Sequence, residues 1–98
     1  MRITIRYFDG CPNWQTADGR LREALASKGF DAEIDYELVS TPEEAEGLRF
    51  RGSPTILLDG DDPFPAEEAS YGLTCRLYRT EAGQEGSPSV EQILAALP

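Results

Sequence analysis

The chain has 98 residues, 40% of them hydrophobic and 28% charged, which is the size and balance of one small globular domain and leaves no room for a two-domain enzyme. Eighteen acidic residues against nine basic ones give a formal net charge of −9, which repels phosphate backbones and anionic membranes, so neither nucleic acid nor a membrane is an expected partner. There is no histidine, so the commonest general base and zinc ligand are missing, and thiols, carboxylates and hydroxyls must carry any chemistry.

From Arg2 to Phe8 the chain alternates, with Ile3, Ile5 and Tyr7 on one face and Arg2, Thr4 and Arg6 on the other, the period of a strand. After Asp9 and Gly10, Pro12 suits the first helical position, which makes Cys11 the predicted N-cap. Trp14, Ala17, Leu21, Ala24 and Leu25 then recur at helical spacing, Lys28 and Gly29 close the helix, and Phe30 can staple its end. Ala32 to Leu38 alternates again with an apolar set, Ala32, Ile34, Tyr36 and Leu38, against Glu33, Asp35 and Glu37. Strand, helix and strand with short links predict a parallel, right-handed βαβ unit, with Arg2 or Arg6 facing those carboxylates across the sheet.

Thr41-Pro42-Glu43-Glu44 reads as a capping box opening a short helix to about Leu48 or Arg49. Pro54 to Leu58 is an apolar run of strand length ended by the turn Asp59-Gly60. An acidic connection from Asp59 to Gly72 leads to a predicted strand at Leu73 to Tyr78, with Leu73, Cys75 and Leu77 on one face, for which core packing is the plain reading of Cys75. Ser87-Pro88 caps a last helix carrying Val90, Ile93, Leu94 and Leu97.

The chain has two cysteines, Cys11 and Cys75, which can form one disulfide or stay as thiols but are too few for a four-ligand zinc site, so no metal is expected. Asp59, Asp61 and Asp62 have the carboxylates of a calcium loop without its spacing, since Ser70 stands where the closing glutamate would be. No stretch reads as a signal peptide or reaches the roughly 18 to 20 apolar residues of a membrane span. The expected location is the cytoplasm, where thiols are reduced by default.

The order β-α-β-α-β-β-α, with a cysteine in the first βα turn and a proline opening the third strand, resembles the thioredoxin-like superfamily over nearly the whole chain, residues 1–98 as one α/β domain. The resemblance implies a four-stranded mixed sheet in the order 2-1-3-4, flanked by helices. It makes Cys11 of Cys11-Pro12-Asn13-Trp14 the reactive cysteine, with Trp14 in place of the second cysteine of CxxC. It also makes Pro54 of Arg51-Gly52-Ser53-Pro54-Thr55 the cis-proline beside that sulfur. Pro12, Trp14, Ser53, Pro54 and Thr55 become the candidate substrate contacts, with a partner peptide adding as a short strand beside Ser53. Trp14 also lies on the apolar helical stripe, where packing is the simpler role.

A helix N-terminus can lower a thiol pKa from about 8.5 into the range of roughly 3.5 to 7.5, while Asp9 and the negative chain oppose a further anion, so partial activation of Cys11 is expected. Three routes follow from the missing CxxC cysteine. Cys75 can act as a distant resolving thiol; glutathione can resolve the adduct as a co-substrate, in the manner of monothiol glutaredoxins; or the scaffold has kept only a binding role. If the fourth strand runs antiparallel to the third, Cys75 lies about 13 Å down the strand at ~3.3 Å per residue, beyond the ~7 Å limit for a disulfide, unless the register differs. Arg51 can hold an anionic tail such as a glutathione carboxylate or pair with a surface acid. The expectation is a thiol–disulfide oxidoreductase in which Cys11 attacks a protein disulfide, a small thiol's disulfide or a soft electrophile, and the alternative is a non-catalytic binding module.

Overall fold

The alternation near the N-terminus becomes β1 (Ile3–Tyr7), the middle strand of a three-stranded sheet. The computed structural model describes residues 1–64 and 71–98. β2 (Ile34–Leu38) pairs parallel with β1 from Ile3↔Ile34 to Tyr7↔Leu38, and β3 (Thr55–Leu58) pairs antiparallel from Ile3↔Leu58 to Arg6↔Thr55. Arg2 meets Asp35 at 3.2 Å and Arg6 meets Glu37 at 2.9 Å, so the cross-strand charge pairing predicted from the alternation forms. Tyr36 and Leu38, expected on a covered face, are exposed because β2 is an edge strand.

α1 (Asn13–Lys28) buries Ala17, Leu21, Ala24 and Leu25, four of its five predicted stripe residues. Gly29 ends it with φ 71°, and the Phe30 N–H donates to the Leu25 carbonyl at 2.9 Å, a left-handed closure for which glycine has no Cβ penalty. These residues join Ile3, Ile5, Ile56, Leu58, Ile93 and Leu97 in the main core. α2 (Pro42–Gly47) is capped by Thr41, whose side chain accepts from the Glu44 N–H, and its Ala45 packs with Val39 and Phe50 in a second, smaller core. Arg6, on the face of β1 opposite Ile3 and Ile5, donates to the Leu48 carbonyl just past α2.

Asp59 and Gly60 form the predicted turn, both with positive φ (52° and 87°), and return Asp61 beside Leu58. The chain then departs from the expected sheet. Residues 73–77 form no strand; β4 is Tyr78–Thr80 and pairs with β5 (Gly83–Glu85) in a separate two-stranded sheet. The four-stranded order 2-1-3-4 is therefore replaced, among the described residues, by β2-β1-β3 and β4-β5. One cause is local: Asp61 takes up the Leu58 N–H on the free edge of β3, and Pro63 follows without an N–H to continue the ladder. Residues 65–70 of the acidic connection predicted between Asp59 and Gly72, Ser70 among them, lie outside the described residues.

The last helix, α3 (Val90–Ala96), packs against α1, and its cap is Ser89 in a reciprocal capping box with Gln92 rather than the predicted Ser87. The box needs a side-chain acceptor three residues before a glutamine or glutamate, and Ser89 has that partner while Ser87 does not. Ser87 is buried, and its carbonyl accepts from Arg20.

Candidate functional site

Cys11 lies in the turn from β1 to α1, its N–H bonded to the Phe8 carbonyl at 3.2 Å. The helix cap is Pro12, one residue later than predicted, and no side chain caps the helix. A proline can sit there because it has no N–H to lose. Cys11 is completely buried. Its Sγ lies 3.5 Å from the Ser53 carbonyl oxygen.

Cys11 is joined to Cys75 by a disulfide, with the two Cα atoms 5.7 Å apart, inside the span that a disulfide bridges. The separation of about 13 Å inferred from an antiparallel hairpin is thus overturned. The segment around Cys75 does not run back along β3. It passes Ser53 in the parallel sense, with the Ser53 N–H donating to the Thr74 carbonyl at 2.8 Å and the Arg76 N–H donating to the Ser53 carbonyl at 2.9 Å. Gly52 permits this approach. Its φ is 120°, and a Cβ there would lie 3.0 Å from both the Thr74 carbonyl oxygen and the Arg76 Cβ, tight enough that the neighbouring backbone would have to give way.

The alternation in this segment is inverted relative to the sequence reading. Arg76, Tyr78 and Thr80 are buried, while Cys75, Leu77 and Arg79 are exposed, so Cys75 is not a core residue. Arg76 explains the inversion. Its side chain is 5% exposed and binds the Asp62 carboxylate at 2.6 Å, the Phe64 carbonyl at 3.0 Å and the Thr55 hydroxyl at 3.4 Å, with its guanidinium 4.5 Å from the Tyr78 ring centroid. A buried guanidinium is tolerated only when paired and hydrogen-bonded, and these partners supply both. The Tyr78 hydroxyl donates to the Pro54 carbonyl at 2.5 Å. Burial pushes that phenol well above its ordinary range, with the Arg76 charge pulling the other way, so it stays a donor.

The structure gathers Cys11, Ser53 and Cys75 at one point, with Pro54 and Thr55 next along the chain. The Ser53–Pro54 peptide bond is cis. Thr55 is buried, with its hydroxyl donating to the Gly52 carbonyl at 2.7 Å. Ser53 is fully buried and its hydroxyl has no hydrogen-bond partner among the described residues. Pro12 is exposed. Trp14 faces Tyr7, with ring centroids 4.6 Å apart, and packs on the core from its margin. Arg51 sits 5.9 Å from the Tyr71 ring centroid. A depression on the outer face of the sheet, about 380 Å³ and lined by Arg2, Thr4, Arg6, Glu37, Leu57, Asp59 and Gly60, contains neither cysteine.

Gly52, Asp62, Arg76 and Tyr78 shape this site and were not read from the sequence as doing so. The available signal was an arginine between cysteine and leucine in an otherwise apolar run, which a buried strand does not accept without an acid to match it.

No protein-family model, curated protein or solved structure matches the chain. No group of three or more metal-ligating side chains occurs among the described residues, and no helix among them is long and apolar enough to cross a membrane.

Proposed function

We propose that this chain is a thioredoxin-like thiol–disulfide oxidoreductase in which Cys11 and Cys75 are the redox pair. The observation that carries the reading is their pairing across 64 residues of chain, at the junction of the first βα turn and the loop before β3. The central order β2-β1-β3, with β1 parallel to β2 and antiparallel to β3, is compatible with a thioredoxin-like scaffold whose fourth strand does not join the sheet among the described residues. A nearby second sulfur supports a dithiol exchange over the glutathione-dependent monothiol route, because Cys75 supplies the second thiol that Trp14 cannot. The reaction class is transfer of two electrons between this pair and a partner's thiols or disulfide, with no metal needed.

A second reading is favoured by the complete burial of Cys11: a binding module whose disulfide is a structural crosslink. Reduction potential separates the two. Equilibration with dithiothreitol or glutathione buffers, read by alkylation and mass, is expected to give a midpoint between roughly −120 and −270 mV, the range of known exchangers. A midpoint below about −300 mV is the mark of a structural disulfide and rejects the oxidoreductase.

A further inference from the structure

We propose that the sulfur through which partners enter is Cys75, and that Cys11, the residue the sequence presents as nucleophile, is the buried leaving and resolving thiol. This rests on the thiol–disulfide reading above. An incoming thiolate must approach a disulfide sulfur from the side away from its partner, and access decides which sulfur is attacked. Cys11 is wholly buried, whereas Cys75 is exposed on a segment whose outward side also carries Leu77, 64% exposed. The route by which a peptide would reach Cys11, pairing beside Ser53, is taken, because both Ser53 backbone groups already bond residues 74 and 76 of the same chain.

The step balances as a two-electron exchange. A partner thiolate attacks Cys75 Sγ, the Cys75–partner bond forms, the Cys11–Cys75 bond breaks, and Cys11 leaves as the thiolate. A second partner thiolate then attacks the partner's sulfur in the mixed disulfide, giving the oxidised partner disulfide and releasing Cys75 as the thiolate; water supplies the protons. In reverse, the Cys75 thiolate attacks a partner disulfide and expels one partner thiolate. Cys11 then attacks Cys75 Sγ and expels the other.

What makes Cys11 an effective resolving group is that Cys75 stays in place while the bond is open. Arg76, the next residue, bonds Asp62, Phe64, Thr55 and Ser53 through contacts that use neither sulfur atom, so none of them has to break when the disulfide opens. Gly52 leaves the room that this contact requires. Arg76 is a positioning residue in this scheme, since it holds the Cys75 backbone and its guanidinium bonds neither sulfur.

The test uses the oxidised protein and glutathione at neutral pH, quenched in acid at short times, with free thiols blocked by N-ethylmaleimide and both cysteine peptides mapped by mass. Glutathione on Cys75 with N-ethylmaleimide on Cys11 is expected, in at least about tenfold excess over the opposite isomer at the earliest time, as follows from the difference in access. Glutathione on Cys11, or an even division, overturns the assignment while leaving the oxidoreductase standing. No adduct on either sulfur, with the disulfide intact, removes both. As a second arm, Cys11→Ser protein with unchanged circular dichroism is expected to accumulate a Cys75 adduct from glutathione disulfide, and its failure to do so also counts against the assignment.

Discussion

β1, β2 and α1 on one hand and residues 62–80 on the other are held by different forces. In the first region Ile3, Ile5, Ala17, Leu21 and Ala24 are completely buried, and apolar burial at about 25 cal/mol per Å² supplies the stability. In the second, the chain is pinned at polar points: the Arg76 fork on Asp62 and Phe64, the Tyr78 hydroxyl on the Pro54 carbonyl, two backbone bonds to Ser53, and the disulfide. Apolar packing is non-directional and tolerates small shifts, whereas these pins hold one register and fail singly. The lesson is that this domain places its sulfur on the region whose position depends on a few directional bonds, so that chemistry at the sulfur and order in the segment are linked.

Removing an apolar anchor from the first region should have the largest effect. Ile5→Ala, at the middle of β1 opposite Tyr36 and Ile56, is expected to cost about 4 kcal/mol in urea denaturation. That loss should be the same in oxidised and reduced protein, and a loss confined to one redox state would erase the distinction between the regions. Reduction of the disulfide comes next. It releases a 64-residue crosslink and should cost about 3 kcal/mol, seen as a lower urea midpoint with far-ultraviolet circular dichroism unchanged before the transition.

Arg76→Ala is expected to cost about 2 kcal/mol, because it leaves the Asp62 carboxylate and the Phe64 carbonyl without their partner, tempered by the partial exposure of Asp62. Measured in oxidised and reduced protein, this loss should couple to that of the disulfide, since both hold the same segment, and strict additivity would argue that they act independently. Tyr78→Phe should cost about 1.5 kcal/mol by stranding the Pro54 carbonyl in a buried setting.

The smallest effect is one of pH. Hydrogen bonds from Thr80 and then Arg20 hold the Glu85 carboxyl below its ordinary value in the folded chain. A lowered folded pKa means that this contribution is present above the unfolded carboxylate value and is lost as pH falls through the folded one. Stability of the wild type should therefore fall more steeply on acidification than that of Glu85→Gln, and identical acid limbs would show that Glu85 anchors nothing.

Much of the first region, and of α2 beside it, was legible because the signals are periodic and local. Ile3 and Ile5 alternate with arginines, the α1 stripe repeats at helical spacing, Gly29 marks the helix end, and Thr41-Pro42 marks the start of α2. The same method misread residues 73–78, where alternation fits either face equally well and a one-residue inversion exchanges them. The preference for Leu73, Cys75 and Leu77 as the inner face was reasonable by hydrophobicity, and it lost to an arginine whose acid partner stands 14 positions earlier. The cap of α3 was missed by two residues for a smaller reason, two serines flanking one proline.

What the sequence determined by itself was the set of elements whose order is local: three strands, the long and short helices between them, and a cysteine at the head of the first helix. Only the tertiary structure decided that Cys75 meets Cys11, that its segment passes Ser53 in the parallel sense, and that Arg76 is buried. The physical reason is that these depend on contacts among residues 11, 53, 62, 75 and 76, which chain closure brings together and no periodicity encodes.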